Sequence, residues 1–153
     1  MRHAITPCAA ALAFLVTGCS DDGESSGHEQ GPRTLIVPTV VTRVVVQAPD
    51  GRVLKRIDGS GEIQRILGFL QTHREGWRYS DSGFPTPPLE LFFYSGDQRL
   101  GRFGISCAWY FESDLASEDH FTLRGIDAPD RDRHSLLDLL GMSDFRFEGE
   151  ACP

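Results

Sequence analysis

The chain has 153 residues, of which 40% are hydrophobic and 24% charged, and its formal net charge is −7. That length suits one ordinary domain, and the composition excludes a wholly disordered, a collagen-like or a polytopic membrane chain. The acidic balance argues against a general nucleic-acid binder, because phosphate backbones are gripped by basic surfaces.

At the start of the chain Arg2 precedes an apolar stretch, Ala9 to Val16, and small residues follow. This is the layout of a secretory signal peptide, here residues 1–18. The apolar stretch falls short of the about 20 residues that span a bilayer. Val16-Thr17-Gly18-Cys19 resembles the lipobox of bacterial lipoproteins. The resemblance is confined to this N-terminal segment. It implies that Cys19 receives diacylglycerol, that the signal is cut just before it, and that the new terminus is acylated, with palmitate for example. Several acyl chains anchor stably where one is marginal. The implied location is the bacterial cell envelope. Ser20 after the lipidated position favours the outer membrane, facing the periplasm, while Asp21 and Asp22 keep the inner membrane open.

Residues 20–33 carry no aliphatic or aromatic side chain and are expected to form, behind Cys19, a flexible tether. A coil of that length reaches about 20 Å. Residues 34–153 are then one globular domain. Removing the signal and lipidating Cys19 leaves Cys107 and Cys152, and an exported protein meets oxidising conditions. The two are expected to pair and staple the C-terminal tail; two reduced thiols are the alternative.

Val40, Thr42, Val44, Val46 and Ala48 alternate with Val41, Arg43, Val45 and Gln47, which predicts a strand. Ala48-Pro49-Asp50-Gly51 predicts a turn and Val53–Ile57 a returning strand. Asp58-Gly59-Ser60-Gly61 breaks that strand and offers a helix cap. Ile63, Ile66, Leu67 and Leu70 form one helical stripe, with Gly76 beyond its end. Trp77–Tyr79 is a short extended piece. The prolines at 85, 87 and 88 make Ser80–Pro88 a loop.

Leu89, Leu91 and Phe93 alternate with Glu90, Phe92 and Tyr94, and Ser95–Gln98 turns the chain. Arg99–Ile105 and Cys107–Phe111 read as two strands or one bent strand, and Phe121–Arg124 as a last one. A second helix is expected from Asp130 to Leu140, closed by Gly141, and a short extended tail at Phe145–Phe147. The order β-β-α-β-β-β-β-α implies an α+β domain, with a mostly antiparallel sheet of five or six strands and two helices on one face.

Motifs for nucleotide binding, zinc hydrolysis and nucleophile elbows are absent from the sequence. No cofactor and no metal ligand set is assigned. Two features remain as candidate sites. The face of the sheet away from the helices is expected to carry Phe92, Tyr94 and Tyr110, an aromatic binding surface. Asp114, Glu118 and Asp119 open an acidic segment: residues 112–153 hold four basic and eleven acidic side chains, against nine and seven in 34–111. Such a segment steers a basic partner. The function expected is a non-catalytic binding module, inhibitor-like or immunity-like in one form, with an envelope protein and the membrane as partners. The alternative is a small hydrolase, or metal-assisted hydrolase, using the acidic and histidine residues of 112–134.

Overall fold

Strands β1 (Arg43–Gln47) and β2 (Val53–Ile57) form the first hairpin. Its turn ends on Gly51, whose φ of +81° is a left-handed conformation that glycine tolerates. The chain is described here from a computed structural model over residues 33–80, 83–114, 122–125 and 128–147. Helix α1 (Ser60–Thr72) follows and buries Ile63, Ile66, Leu67 and Leu70, the expected stripe. Its N-cap is Gly59 and no side chain caps it, so the Asp58–Gly61 segment breaks the strand without supplying a capping side chain. Glu62 in the first turn meets the positive end of the helix dipole instead.

Five strands come next: β3 (Arg78–Tyr79), β4 (Leu89–Ser95), β5 (Gln98–Ile105), β6 (Trp109–Ser113) and β7 (Thr122–Arg124). Helix α2 (Asp130–Leu139) closes the described fold and exits through Gly141 at φ +61°. All strands pair antiparallel in one sheet of order β2-β1-β4-β5-β6-β7-β3. The fold is therefore α+β with an antiparallel sheet.

The sheet has seven strands, because the two-residue β3 pairs with β7 through Arg78↔Arg124 and Tyr79↔Leu123. Arg99–Phe111 is not one bent strand but a hairpin that reverses at Ser106–Ala108. Val40 does not share the buried face of Val44. It is 67% exposed, because β1 begins only at Arg43. Phe145–Phe147 forms no strand; its two rings meet edge to face at 5.2 Å.

Alternation sorts the sheet into two faces. Val44, Val46, Leu89, Leu91, Phe93, Phe103, Ile105, Trp109, Phe111 and Leu123 join the buried residues of both helices in one cluster. The helices thus cover the same face and meet each other, with His73 Nε2 of the α1 C-cap 3.5 Å from the Asp132 carboxylate. Lys55, the chain's single lysine, donates to the Leu140 carbonyl at 2.7 Å. A cation thereby meets the negative end of α2 and ties it to β2.

The chain enters this frame at the opposite edge. Arg33 pairs with Trp77, and the Leu35 N–H donates to the Arg74 carbonyl. Eight residues later the chain lies in β1, five strands from β3. At about 4.8 Å per strand that is about 24 Å, so 35–42 is nearly straight. It buries Leu35 and Val37 and leaves Ile36 and Val40 outside.

Two glycines test these contacts. A Cβ on Gly101 would meet the Glu112 carbonyl oxygen at 2.6 Å, a backbone atom that cannot swing away, whereas one on the α1 residue Gly68 meets nothing. Gly101→Ala is expected to destabilise by about 1–3 kcal/mol and Gly68→Ala to stabilise by up to about 1 kcal/mol, both read from urea unfolding midpoints.

Candidate functional site

The same alternation that fills the core lines up the opposite face. Val45 lies opposite Phe92, Phe92 opposite Arg102, and Arg102 opposite Glu112. One row further, Arg43 faces Tyr94 and Tyr94 faces Arg99. On the other side Glu90 faces Gly104, and Gly104 faces Tyr110. Arginine, aromatic and carboxylate side chains therefore alternate across four strands.

Arg102 is the centre of this layer. Its Nε donates to Glu112 at 2.8 Å and its Nη1 lies 3.5 Å from Glu90. The guanidinium sits 4.0 Å from the centre of the Phe84 ring. Phe84 comes from the loop before β4, which lies over Gly104: a Cβ there would meet Pro87 at 2.6 Å and Phe84 at 2.9 Å. Phe84 also stands 6.0 Å from Tyr110. The missing side chain at Gly104 is what lets the loop lie against the strand.

Two more arginines repeat the motif. Arg43 stacks over Tyr94 at 4.7 Å and donates to the Gly96 carbonyl. Arg99 lies 5.9 Å from the Phe92 ring centre and donates through two nitrogens to Asp114. That bond holds the Arg99 proton more firmly than in a free arginine. Arginine stacked on an aromatic face keeps its charge while covering apolar surface.

The structure brings Phe92, Tyr94, Tyr110 and Asp114 together on this face. Phe92 is buried at 8% exposure beneath its neighbours, and both tyrosines are half-buried. Asp114 is engaged by Arg99. Glu118, Asp119, Cys152 and Cys19 lie outside the described residues. Cys107 sits in the β5–β6 turn. The face also contains Arg43, Phe84, Glu90, Arg99 and Arg102, which sequence reasoning did not single out, and Glu112, the first residue of the acidic region 112–134. Alternation alone puts Glu90 beside Phe92 and Tyr94; the arginines required the strand register.

A second polar cluster lies between the helices. His73 packs between Phe69 and Trp109, with ring centres 4.2 and 4.9 Å away. Its Nδ1 is 2.8 Å from the Phe69 carbonyl and its Nε2 faces Asp132. His134 turns its Nδ1 to the Asp130 carbonyl at 2.7 Å. Among the described residues no three His, Cys, Asp or Glu side chains are grouped to hold a metal, and no helix is long and apolar enough to cross a membrane.

Comparison with family models, with curated proteins and with solved structures returns no match. The chemistry of this surface is therefore argued from its own residues.

Glu90 offers a check on that chemistry. Burial raises its pKa above the ordinary glutamate value, Arg102 pulls it down, and Glu112 raises it further. The folded chain thus holds this proton to higher pH than the unfolded chain. Stability attributable to Glu90 must fall as pH rises from the ordinary value through the raised one. Glu90→Gln is expected to remove that decline, seen by comparing unfolding free energy against pH for the two chains.

Proposed function

We propose that this chain is a lipid-anchored protein of the bacterial envelope that binds a protein partner, without catalysis, through the helix-free face of its sheet. The observation that carries the reading is the layer of three arginines interleaved with Phe84, Phe92, Tyr94 and Tyr110. Arginine and aromatic side chains are the types enriched at protein interfaces and at their energetic centres. They are also pre-ordered here by stacking and by Glu90, Glu112 and Asp114, which lowers the entropy lost on binding. A partner with its own paired charges and apolar groups fits such a surface better than a simple polyanion or polycation does. The anchor rests on the lipobox resemblance at Cys19, and the outer membrane on Ser20. Cys152 is the partner proposed for the Cys107 sulfur.

The inhibitor-like form would use the acidic segment. Asp114 already spends its charge on Arg99, so Glu118 and Asp119 would carry that form. The broader face does not depend on them.

The test is gentle detergent extraction of the tagged full chain, with mass spectrometry of what copurifies. A stoichiometric envelope protein is expected with the wild type. Tyr94→Ala combined with Arg102→Ala should cut its recovery by about thirtyfold, the scale of a lost hot spot. Circular dichroism confirms that the variant is folded. Full recovery with the folded variant would overturn the assignment of this face. Absence of any partner would overturn the interaction reading.

A further inference from the structure

Among the described residues the large exposed apolar side chains are Ile36, Val40, Val53 and Tyr79. Three of the four belong to the stretch where the chain enters the domain or to the strand beside it. Arg33 pairs with Trp77, its guanidinium lies 5.4 Å from the Tyr79 ring centre, and Leu35 is bonded to the Arg74 backbone. Arg78 precedes Tyr79 on the edge strand, and Arg33, Arg74 and Arg78 are all exposed. Among the described residues, Glu75 is the acidic residue in this group, held by Thr34 at 3.0 Å and Arg74 at 3.3 Å. The described part of the β3 edge therefore carries Arg33, Arg74, Arg78 and Glu75 beside Ile36 and Tyr79.

We infer that this edge docks on an anionic phospholipid surface, so that the domain stands on the membrane with β3 down and β2 up. The inference rests on the lipid-anchor reading and says where on the domain the membrane lies. Two observations choose lipid over a protein at this edge. First, Arg33 is only fourteen positions after Cys19, and the tether expected from the sequence would reach about 20 Å. The edge that receives the linker is the part of the domain held at the highest local concentration of lipid. Second, the group matches an interfacial anchor. Arginine heads bind phosphates while their stems and an aromatic ring enter the headgroup layer, and an apolar side chain goes deeper.

The opposite edge gives an internal control. Val53 is 53% exposed but lies on β2, six strand spacings from β3, a distance of about 29 Å. In one variant of the full lipidated chain a photoreactive p-benzoylphenylalanine replaces Ile36, and in a second it replaces Val53. Both sites are exposed, so both variants should fold. Each is reconstituted into vesicles of phosphatidylglycerol and phosphatidylethanolamine, or of phosphatidylcholine alone, and irradiated.

Position 36 should crosslink to lipid in the anionic vesicles and position 53 should not. The position-36 crosslink should fall in phosphatidylcholine. Arg74→Ser and Arg78→Ser should each lower the docked-to-undocked ratio about fivefold. Flotation with the vesicles but equal crosslinking at the two positions would overturn docking and leave the anchor intact. So would crosslinking at 36 that ignores lipid charge and both arginine changes. Failure of the wild-type chain to float would overturn the anchor and the docking with it.

Discussion

The register of β4 against β5 decides which side of the molecule every other strand residue occupies. Leu89, Leu91 and Phe93 lie opposite Ile105, Phe103 and Gly101, and this row is the floor on which both helices rest. Side chains alternate with a period of two, so a slip of one residue would carry Phe103 and Ile105 into solvent and Arg102 into the core. Burying an arginine without its carboxylates costs far more than the neighbouring contacts could return. The hydrophobic pattern and the ion pairs of the outer face therefore enforce the same pairing. A register shift between Phe93 and Tyr94 lets Leu100 turn inward as an extra residue and still sets Arg99 opposite Tyr94.

Where the local pattern was strong, the sequence was easy to read. The stripe of Ile63, Ile66, Leu67 and Leu70 forms its helix face, and Trp109 and Phe111 go inward while Tyr110 goes outward. Phe92, Tyr94 and Tyr110 of the outer face were visible for the same reason. What could not be read depends on contacts distant in sequence. The extended piece at Trp77–Tyr79 was legible, but not its pairing with β7, which makes Arg78–Tyr79 a strand. The arginine layer needs the order of strands, since Arg102 meets Glu112 across ten residues and Arg43 meets Gly96 across fifty-three. Gly104 lies within its strand, and only the tertiary structure makes its bare Cα the seat for Phe84 and Pro87. Val40 has strand chemistry, yet the segment that holds it is committed to crossing the sheet rather than pairing within it.

The choice between catalysis and binding turns on what the polar groups already do. A catalytic imidazole needs one nitrogen oriented by a carboxylate and the other directed at a nucleophile or a substrate. His73 has the carboxylate, Asp132, but its other nitrogen is given to the Phe69 carbonyl and its ring is clamped by Phe69 and Trp109. Its geometry joins the end of α1 to the start of α2. Asp114 and Glu112, the described carboxylates at the head of the acidic segment, are likewise bound by Arg99 and Arg102. These described groups each have a protein partner. A binding surface tolerates that condition, because its strength comes from ordered, paired groups that exclude water with a partner.

The two surfaces argued here also constrain each other. A tethered domain that lay flat on the membrane would cover either its helices or the arginine layer. Standing on the β3 edge, it covers neither, because a sheet edge and a sheet face are perpendicular. The helix-free face would then be upright and open to proteins diffusing alongside the membrane. Arg43, Arg99 and Arg102 lie on strands within the sheet, whereas Arg74 and Arg78 lie at its β3 edge. The first three are stacked on rings or paired with carboxylates and bonded to the fold, which suits a shaped interface. Arg74 and Arg78 are exposed at the rim, where a mobile charged head can follow lipid phosphates. On the two proposals made here one residue type would serve two kinds of recognition, according to its place at the edge or on the face of the sheet.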